Sequence, residues 1–188
     1  MPDGSARTTE RSIVFIFAVD KARAALHAMV QGRASIDLHT VLKACYFADK
    51  AHLNANGRPI FGARYRAMRF GPVPLEIYEM AKGEPIWLAE LGVAELPWLL
   101  HGYSLQANPA INAQPDLGVF SASDHSALEQ GIRTATGMTF DQRTAATHGA
   151  DWQAAGLGMM RYEDMIEDGP DKAALVTELR ESARYMRL

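Results

Sequence analysis

The sequence predicts a mainly α-helical fold, a compact single-domain helical bundle with a small antiparallel β element. Apolar residues recur at spacings of three and four in several long segments, the pattern of amphipathic helices. Glycine, proline and capping residues lie between these segments, where helices begin and end. The chain has 188 residues, a length that suits one domain. We expect residues 1–10 to form a flexible tail and 11–188 to form the single domain.

Composition and charge restrict the classes of function. The net charge is −3, whereas proteins that bind nucleic acid non-specifically are usually basic because their affinity comes from neutralised phosphates. A single cysteine, Cys45, cannot form an internal disulfide, which fits a reducing cytoplasm. The longest apolar run, 13–19, is far shorter than the roughly 20 residues of a membrane-spanning helix. We therefore expect a cytoplasmic protein without a membrane span.

The first half of the chain predicts two long helices. The apolar periodicity runs from Ser12 to about residue 31, and Gly32 follows at a position suited to a helix C-terminus. Ser35 is the expected N-cap of the next helix, over about residues 36–54. That helix ends before Gly57 because glycine and the proline that follows it interrupt helical structure.

A short strand and a third helix follow. Residues 63–70 alternate in part, which predicts a strand with Arg64 and Arg66 on one side and Arg69 on the other. Gly71 then permits a turn. Pro74 is expected at the first helical position, where its fixed φ fits and its missing N–H costs nothing. The helix after it spans about residues 75–82.

The second half predicts a strand pair and further helices. Residues 103–107 alternate with strand spacing, and 117–120 is the expected partner strand. Ser121 or Ser123 caps the next helix, which ends near residue 137. Thr139 and Gln142 have the spacing of a capping box and precede a helix over 140–148. Asp151 is a candidate cap of a short turn, and a last helix runs from residue 170 to the end.

The candidate catalytic residues do not form a known arrangement. Cys45 and His52 lie two helical turns apart, roughly 10 Å along the axis, which is too far for a thiolate–imidazole pair. Asp49 and His52 are three residues apart and can touch on a helix, so they could do acid–base chemistry or form a structural hydrogen bond. No zinc-ligand spacing and no phosphate-binding loop is present in the sequence. We expect no enzyme activity, no metal and no cofactor.

The densest basic run is the candidate partner-binding feature. It contains Arg58, Arg64, Arg66 and Arg69, interleaved with aromatic residues. Three interpretations remain open: a solvated strand face, a protein interface, for which arginine and aromatic residues are preferred anchors, or a surface that follows a nucleic-acid backbone.

The central stretch also resembles a known family. The segment YFADKAHLNANGRPIFGARYRAMRFGPVPLEIYEM is similar to the signature of the Panacea domain, found in SocA-like and phage-associated bacterial antitoxins. A second, shorter similarity surrounds Trp152. The signature residues are Tyr46, Phe47, Asp49, His52, Gly57, Pro59, Tyr65, Gly71, Pro72, Pro74, Tyr78 and Trp152. Most of them suit turn and core roles.

The resemblance implies an antitoxin of a toxin–antitoxin system. Such a protein neutralises a cognate toxin by direct protein–protein binding, and SocA-like members are also associated with presenting the toxin to an ATP-dependent protease. The expected partners are therefore a toxin protein and such a protease. A DNA-binding transcriptional regulator is the alternative, motivated by the arginine run, and a small hydrolase using Cys45 or the Asp49–His52 pair is a third hypothesis.

Overall fold

The fold is mainly α-helical with two small antiparallel sheets, as seen in a computed structural model that describes residues 11–188. The expected flexible tail, residues 1–10, lies outside the described residues. The helices within the described part of the chain are α1 (Val19–Val30), α2 (Leu38–Asn56), α3 (Leu75–Ala81), α4 (Pro85–Leu91), α5 (Ala122–Thr136), α6 (Phe140–Thr147), α7 (Ala150–Ala155), α8 (Tyr162–Met165) and α9 (Lys172–Ser182). The strands are β1 (Ile36–Asp37), β2 (Tyr65–Met68), β3 (Gly71–Pro74), β4 (Trp98–His101) and β5 (Ser104–Ala107).

Helix α2 is the centre of the molecule. Its residues are buried on several sides, and its main helical partner is α5. The two backbones approach closely at Gly131, where an added Cβ would lie 2.5 Å from the carbonyl oxygen of Ala44 and 2.9 Å from the amide nitrogen of Ala48. A glycine without a side chain therefore sets the distance between these helices.

The first helix begins later than its periodicity predicts. Residues 11–18 belong to no helix or strand, and Ile13 and Phe15 are buried with Val14 exposed between them. The backbone amide of Ala18 donates to the carbonyl of Phe61 at 2.8 Å. The apolar run therefore has an alternating burial pattern, and the predicted start at residue 12 is wrong because this segment bonds to distant residues instead of forming helical turns.

Helix α2 is capped by Asp37, so the expected cap at Ser35 is wrong. The Asp37 carboxylate accepts a hydrogen bond from the amide of Thr40 at 2.9 Å. Residues 36 and 37 pair with β5 instead of starting the helix. At the other end, the helix stops before Gly57 as predicted, and Gly57 adopts the left-handed conformation with φ 69°, which is common at helix C-termini.

The predicted strand over 63–70 is shorter and belongs to a tight hairpin. Strand β2 pairs with β3 from Tyr65 opposite Pro74 to Met68 opposite Gly71, and Arg69 and Phe70 form the loop. The turn therefore precedes Gly71, which has φ 97° and lies in the strand. Pro74 is the N-cap of α3 and not its first residue, because its ψ of 106° is still the extended value of strand β3.

The second sheet has the order β1–β5–β4. The predicted strand at 103–107 is confirmed as β5, but its neighbours are β4 and β1. Residues 117–119 form a 3₁₀ turn, so the predicted pairing of this segment is wrong. Strand β5 pairs with β4 through a two-residue connection. Alternation in the sequence does not distinguish this nearby partner from a more distant one.

The capping predictions for the later helices are confirmed at two places. Ser121 forms a capping box with Asp124 at the start of α5, and Thr139 forms one with Gln142 at the start of α6. Asp151 is not a cap, because Gly149 occupies that position before α7. The last helix ends at residue 182 and continues as a 3₁₀ turn over 183–185, short of the predicted end.

Candidate functional site

The Asp49 and His52 side chains bind different parts of the fold and do not bind each other. Asp49 Oδ1 accepts from the amides of Ile60 and Phe61 at 2.8 and 2.9 Å, and Oδ2 accepts from the Tyr65 hydroxyl at 3.0 Å. Burial raises the pKa of the Asp49 carboxyl to about 7, and the donated hydrogen bonds oppose that rise. These contacts attach the segment after α2 to the helix, which is a structural role.

His52 belongs to a separate buried cluster around Asp124. Its Nδ1 donates to the carbonyl of Arg58 at 2.7 Å, and Nε2 lies 3.0 Å from the Ser123 hydroxyl. Burial lowers the pKa of His52, which favours the neutral ring. The Asp124 carboxylate also receives Lys21 at 2.7 Å and Arg58 at 3.0 Å. Although burial opposes ionisation, the Lys21 ammonium helps to lower the pKa of Asp124 to about 2.

The remaining catalytic candidate, Cys45, is fully buried in the apolar core. Burial and the neighbouring Asp49 carboxylate raise the pKa of the thiol well above its usual range. A thiol with a raised pKa and no access to solvent is a poor nucleophile. Among the described residues, no group of three or more His, Cys, Asp or Glu side chains is arranged to hold a metal ion.

The second signature region forms a buried corner between α2 and α7. The Tyr46 hydroxyl donates to Asp151 Oδ2 at 2.5 Å, and Lys50 contacts the same oxygen at 3.0 Å. Trp152 stacks on His148 at 3.8 Å between ring centroids, and its indole N–H donates to the carbonyl of Met68 at 2.9 Å. The two parts of the signature are therefore joined in space, through side chains that fix the hairpin against α7.

The other signature residues also lie at backbone turns or in the core. Those that are buried are Pro59, Tyr65, Gly71, Pro72 and Pro74, whereas Phe47, Gly57 and Tyr78 are half-buried. Their positions agree with turn and packing roles, and the assignment of these residues to the family signature stays a prediction.

The four arginines of the basic run divide into two pairs. Arg58 is bound to Asp124, and Arg64 Nε lies 2.6 Å from a carboxylate oxygen of Glu76. Arg66 and Arg69 are exposed and form no ion pair with any described residue. The alternation of β2 places Arg64 and Arg66 on the solvent side, as the strand pattern predicts. Arg69 covers the ring of Phe70 at 5.2 Å, in the hairpin loop.

The hairpin loop forms one wall of a large groove. This surface, the hairpin groove, has a volume of about 970 Å³ and is mostly apolar. Its lining residues come from the start of α2, the hairpin, the β4–β5 loop and α6; they are Asp37, Leu38, His39, Leu42, Lys43, Met68, Arg69, Phe70, Gly71, Val73, Tyr78, Tyr103, Phe140 and Arg143. Three aromatic side chains at its edges are unusually exposed, with Tyr103 at 83%, Phe70 at 46% and Phe140 at 41%.

The polar groups of the hairpin groove are mostly cationic. Lys43 is 1% exposed and donates from Nζ to the carbonyl of Pro72 at 2.7 Å. Burial, with a contribution from the Arg143 charge, lowers the pKa of Lys43 to about 7. His39 accepts from Arg143 Nε on Nδ1 and contacts the carbonyl of Phe70 through Nε2, which fixes the neutral tautomer. The Arg143 side chain also contacts Asp37 at 3.4 Å.

Sequence reasoning identified Arg69 and Phe70 but missed Lys43, Tyr103 and Arg143. Lys43 is the one charged residue in the run 41–48 of α2, and that was the available signal, because a lysine is rarely buried without a reason. The contributions of Tyr103 and Arg143 had no local signal, since these residues reach the groove from segments 60 and 100 positions after Lys43.

No helix among the described residues has both the length and the apolar character needed to cross a membrane.

Searches against curated proteins and against solved structures gave no match. A comparison with protein families matched residues 41–153 to the family described as antitoxin SocA-like, Panacea domain. The matched range contains most of α2, the whole hairpin and the first part of α7, and it covers more than half of the sequence. The chain therefore belongs to the SocA-like antitoxin family that carries the Panacea domain.

Proposed function

We propose that this chain is the antitoxin of a toxin–antitoxin system and neutralises a cognate toxin by forming a protein complex with it. The family match over residues 41–153 is the observation that carries the proposal. The hairpin groove supports it independently, because exposed aromatic residues next to arginine are typical anchors of protein interfaces. The candidate catalytic side chains Asp49, His52 and Cys45 are buried in structural contacts, which fits a binding role better than hydrolysis.

The test is co-expression with the product of the neighbouring gene, the candidate toxin. We expect the toxin to arrest growth when expressed alone, the chain to restore growth, and the two proteins to purify together. A toxic neighbour that the chain neither binds nor neutralises would refute the proposal.

An adaptor role is the second part of the proposal. The family resemblance implies that the chain presents the bound toxin to an ATP-dependent protease, in addition to occluding it. We expect the toxin to be degraded faster in cells that contain the chain than in cells that lack it, with the difference lost when the protease is inactivated. An unchanged toxin half-life with intact growth rescue would leave neutralisation by occlusion alone.

The DNA-binding alternative has weaker support. It requires the four arginines of the basic run to act together, and Arg58 and Arg64 form ion pairs within the chain. A gel-shift titration against the promoter of the chain's own gene checks this alternative. Binding through phosphate contacts would weaken steeply as the salt concentration rises.

A further inference from the structure

The hairpin groove combines two properties that define a partner. Its surface is apolar and carries three exposed aromatic side chains, Tyr103, Phe70 and Phe140. Isolated apolar residues are common on protein surfaces, whereas a contiguous apolar concavity marks a binding site. The groove also lies beside the hairpin whose shape the family signature fixes, so its position on the fold is well defined.

The charges of the groove select the sign of the partner. Arg69 at the mouth has no ion-pair partner among the described residues, and Lys43 beneath the floor binds a neutral carbonyl oxygen. Arg143 is different, because its guanidinium is occupied by carbonyls of Ala135 and Met138 and by Asp37. Arg69 and Lys43 therefore have no carboxylate partner among the described residues. Asp37 is the one acidic residue that lines the groove, and it is already bound to Arg143.

We propose that the hairpin groove binds an acidic segment of the toxin in which carboxylates alternate with aromatic or aliphatic side chains. This inference rests on the proposed antitoxin function and specifies the surface and the partner chemistry. The apolar side chains pack against Phe70, Phe140 and Tyr103, and a carboxylate pairs with Arg69. The positive charge of Lys43 lies under the same surface and attracts the segment through a medium of low polarity.

The chain offers a closely matched control for this surface. Arg69 covers Phe70 with the guanidinium carbon 5.2 Å from the ring centroid, and Arg184 covers Tyr185 at the same 5.2 Å in the C-terminal 3₁₀ turn. All four side chains are exposed. The groove variant is therefore R69E with F70S, and the control variant is R184E with Y185S. Both remove one cation–aromatic pair and reverse one charge.

The first arm of the experiment measures binding of the purified toxin to the full chain. We expect the groove variant to bind the toxin at least tenfold more weakly than wild type and the control variant to bind within twofold, with melting temperatures close to wild type. Unchanged toxin binding by the groove variant would overturn the inference while leaving the antitoxin function intact. A wild-type chain that binds no toxin would instead refute the proposed function.

The second arm measures the chemistry of the groove without the toxin. The probe is a fluorescently labelled peptide of alternating aspartate and phenylalanine, compared with a peptide that has lysine in place of aspartate. We expect the acidic peptide to bind at least tenfold more tightly than the basic one and to lose this preference in the groove variant. Equal binding of the two peptides would overturn the inference whatever the result with the toxin.

A pH series distinguishes a contribution of the Lys43 charge to peptide binding from a purely structural role of this side chain. Aspartate stays ionised above pH 6.5, and burial lowers the pKa of His39 from its ordinary value of 6.5. The ionisable groups that interact with Lys43 are Arg143 on α6 and His39 on α2, and Arg69 and Asp37 line the same groove. The two arginines are permanently charged. We expect the affinity for the acidic peptide to fall about three- to tenfold from pH 6.5 to 8.5, and K43M to remove this dependence.

Two other occupants give distinct results. Displacement of the acidic peptide by an oligodeoxythymidylate of similar length would assign the groove to nucleic acid and overturn the proposal. A dimer of the free chain that R69E with F70S dissociates would assign it to a second copy and overturn it equally. Sedimentation of the wild-type and variant chains distinguishes the second case.

Discussion

Lys43 is the residue whose burial has the clearest energetic consequence. It is 1% exposed, and its ammonium contacts a carbonyl oxygen and no carboxylate of the described residues. A buried cation without a compensating charge lowers stability, and proteins keep such groups where function requires them. The low pKa of about 7 reflects this cost. The same property that destabilises the free chain makes the site receptive to a partner's negative charge.

The pH dependence of stability tests this view of Lys43. Its pKa in the folded chain, about 7, lies below its ordinary value of 10.5. Between these two values the unfolded chain binds more protons, so the free energy of unfolding rises with pH, by up to about 1.4 kcal/mol per pH unit. We expect K43M to remove this increase in urea denaturation between pH 7 and 10. An identical slope in the variant and in wild type would show that Lys43 titrates normally.

Gly71 combines a required conformation with a lack of space. Its φ is 97°, and an added Cβ would overlap Thr147 Oγ1 and lie 3.0 Å from Cε of Lys43. Gly102 has φ 60° with nothing within 4 Å, so it reports the conformational cost alone. We expect G71A to lose on the order of 1–3 kcal/mol more than G102A in the free energy of unfolding. Equal losses for the two variants would show that Thr147 moves aside freely.

At the scale of elements, the crossing of α2 and α5 depends on Gly131. Replacing a mid-helix glycine by alanine ordinarily stabilises a helix by up to about 1 kcal/mol. Here the new Cβ would lie 2.5 Å from the carbonyl oxygen of Ala44, which belongs to a buried helix and cannot be displaced cheaply. The close approach therefore reverses the expected sign.

We expect G131A to destabilise the chain by about 1–3 kcal/mol, measured by urea denaturation. The matched control is S126A, on the exposed side of the same helix, which should be neutral or slightly stabilising. A gain of stability in G131A would mean that α2 and α5 separate without cost and that their contact does not organise the fold.

The elements also show what local patterns can and cannot predict. The caps of α5 and α6 were predictable because both partners lie within one turn of the chain. The hydroxyl of the cap accepts from the backbone amide three residues on, and the Asp or Gln there accepts from the backbone amide of the cap. The start of α1 was not predictable, since residues 13–17 satisfy helical spacing and strand alternation equally well. Contacts of Ile13 and Ala18 with distant segments decide between the two, and no local rule contains them.

At the scale of the whole molecule, the basic run separates into residues that hold the fold and residues that face solvent. Arg58 joins the segment after α2 to α5 through Asp124, which is fully buried, whereas Arg69 lies in an exposed loop. Two arginines of one basic run thus have different roles. Their shared charge made them a single candidate surface in the sequence.

This separation predicts that one of two similar substitutions lowers stability and the other weakens binding. We expect R58Q to lower the free energy of unfolding by about 1–3 kcal/mol, because a buried carboxylate loses one of its partners. We expect R69Q to leave the melting temperature unchanged and to weaken toxin binding. Thermal denaturation and a pull-down on the same preparations measure both quantities. A stable R58Q, or an R69Q that unfolds early, would contradict the division.

The sequence by itself determined the mainly helical class, the confirmed caps, the existence of strands β2 and β5 and the family. These features depend on residues close together in the chain, and the family on a long run of specific residue types. Only the tertiary structure decided the strand partners, the start of α1 and the hairpin groove. The groove is formed by residues from 37 to 143, distant segments that α2, α6 and the hairpin bring together. Such a surface has no local pattern, because long-range packing creates it.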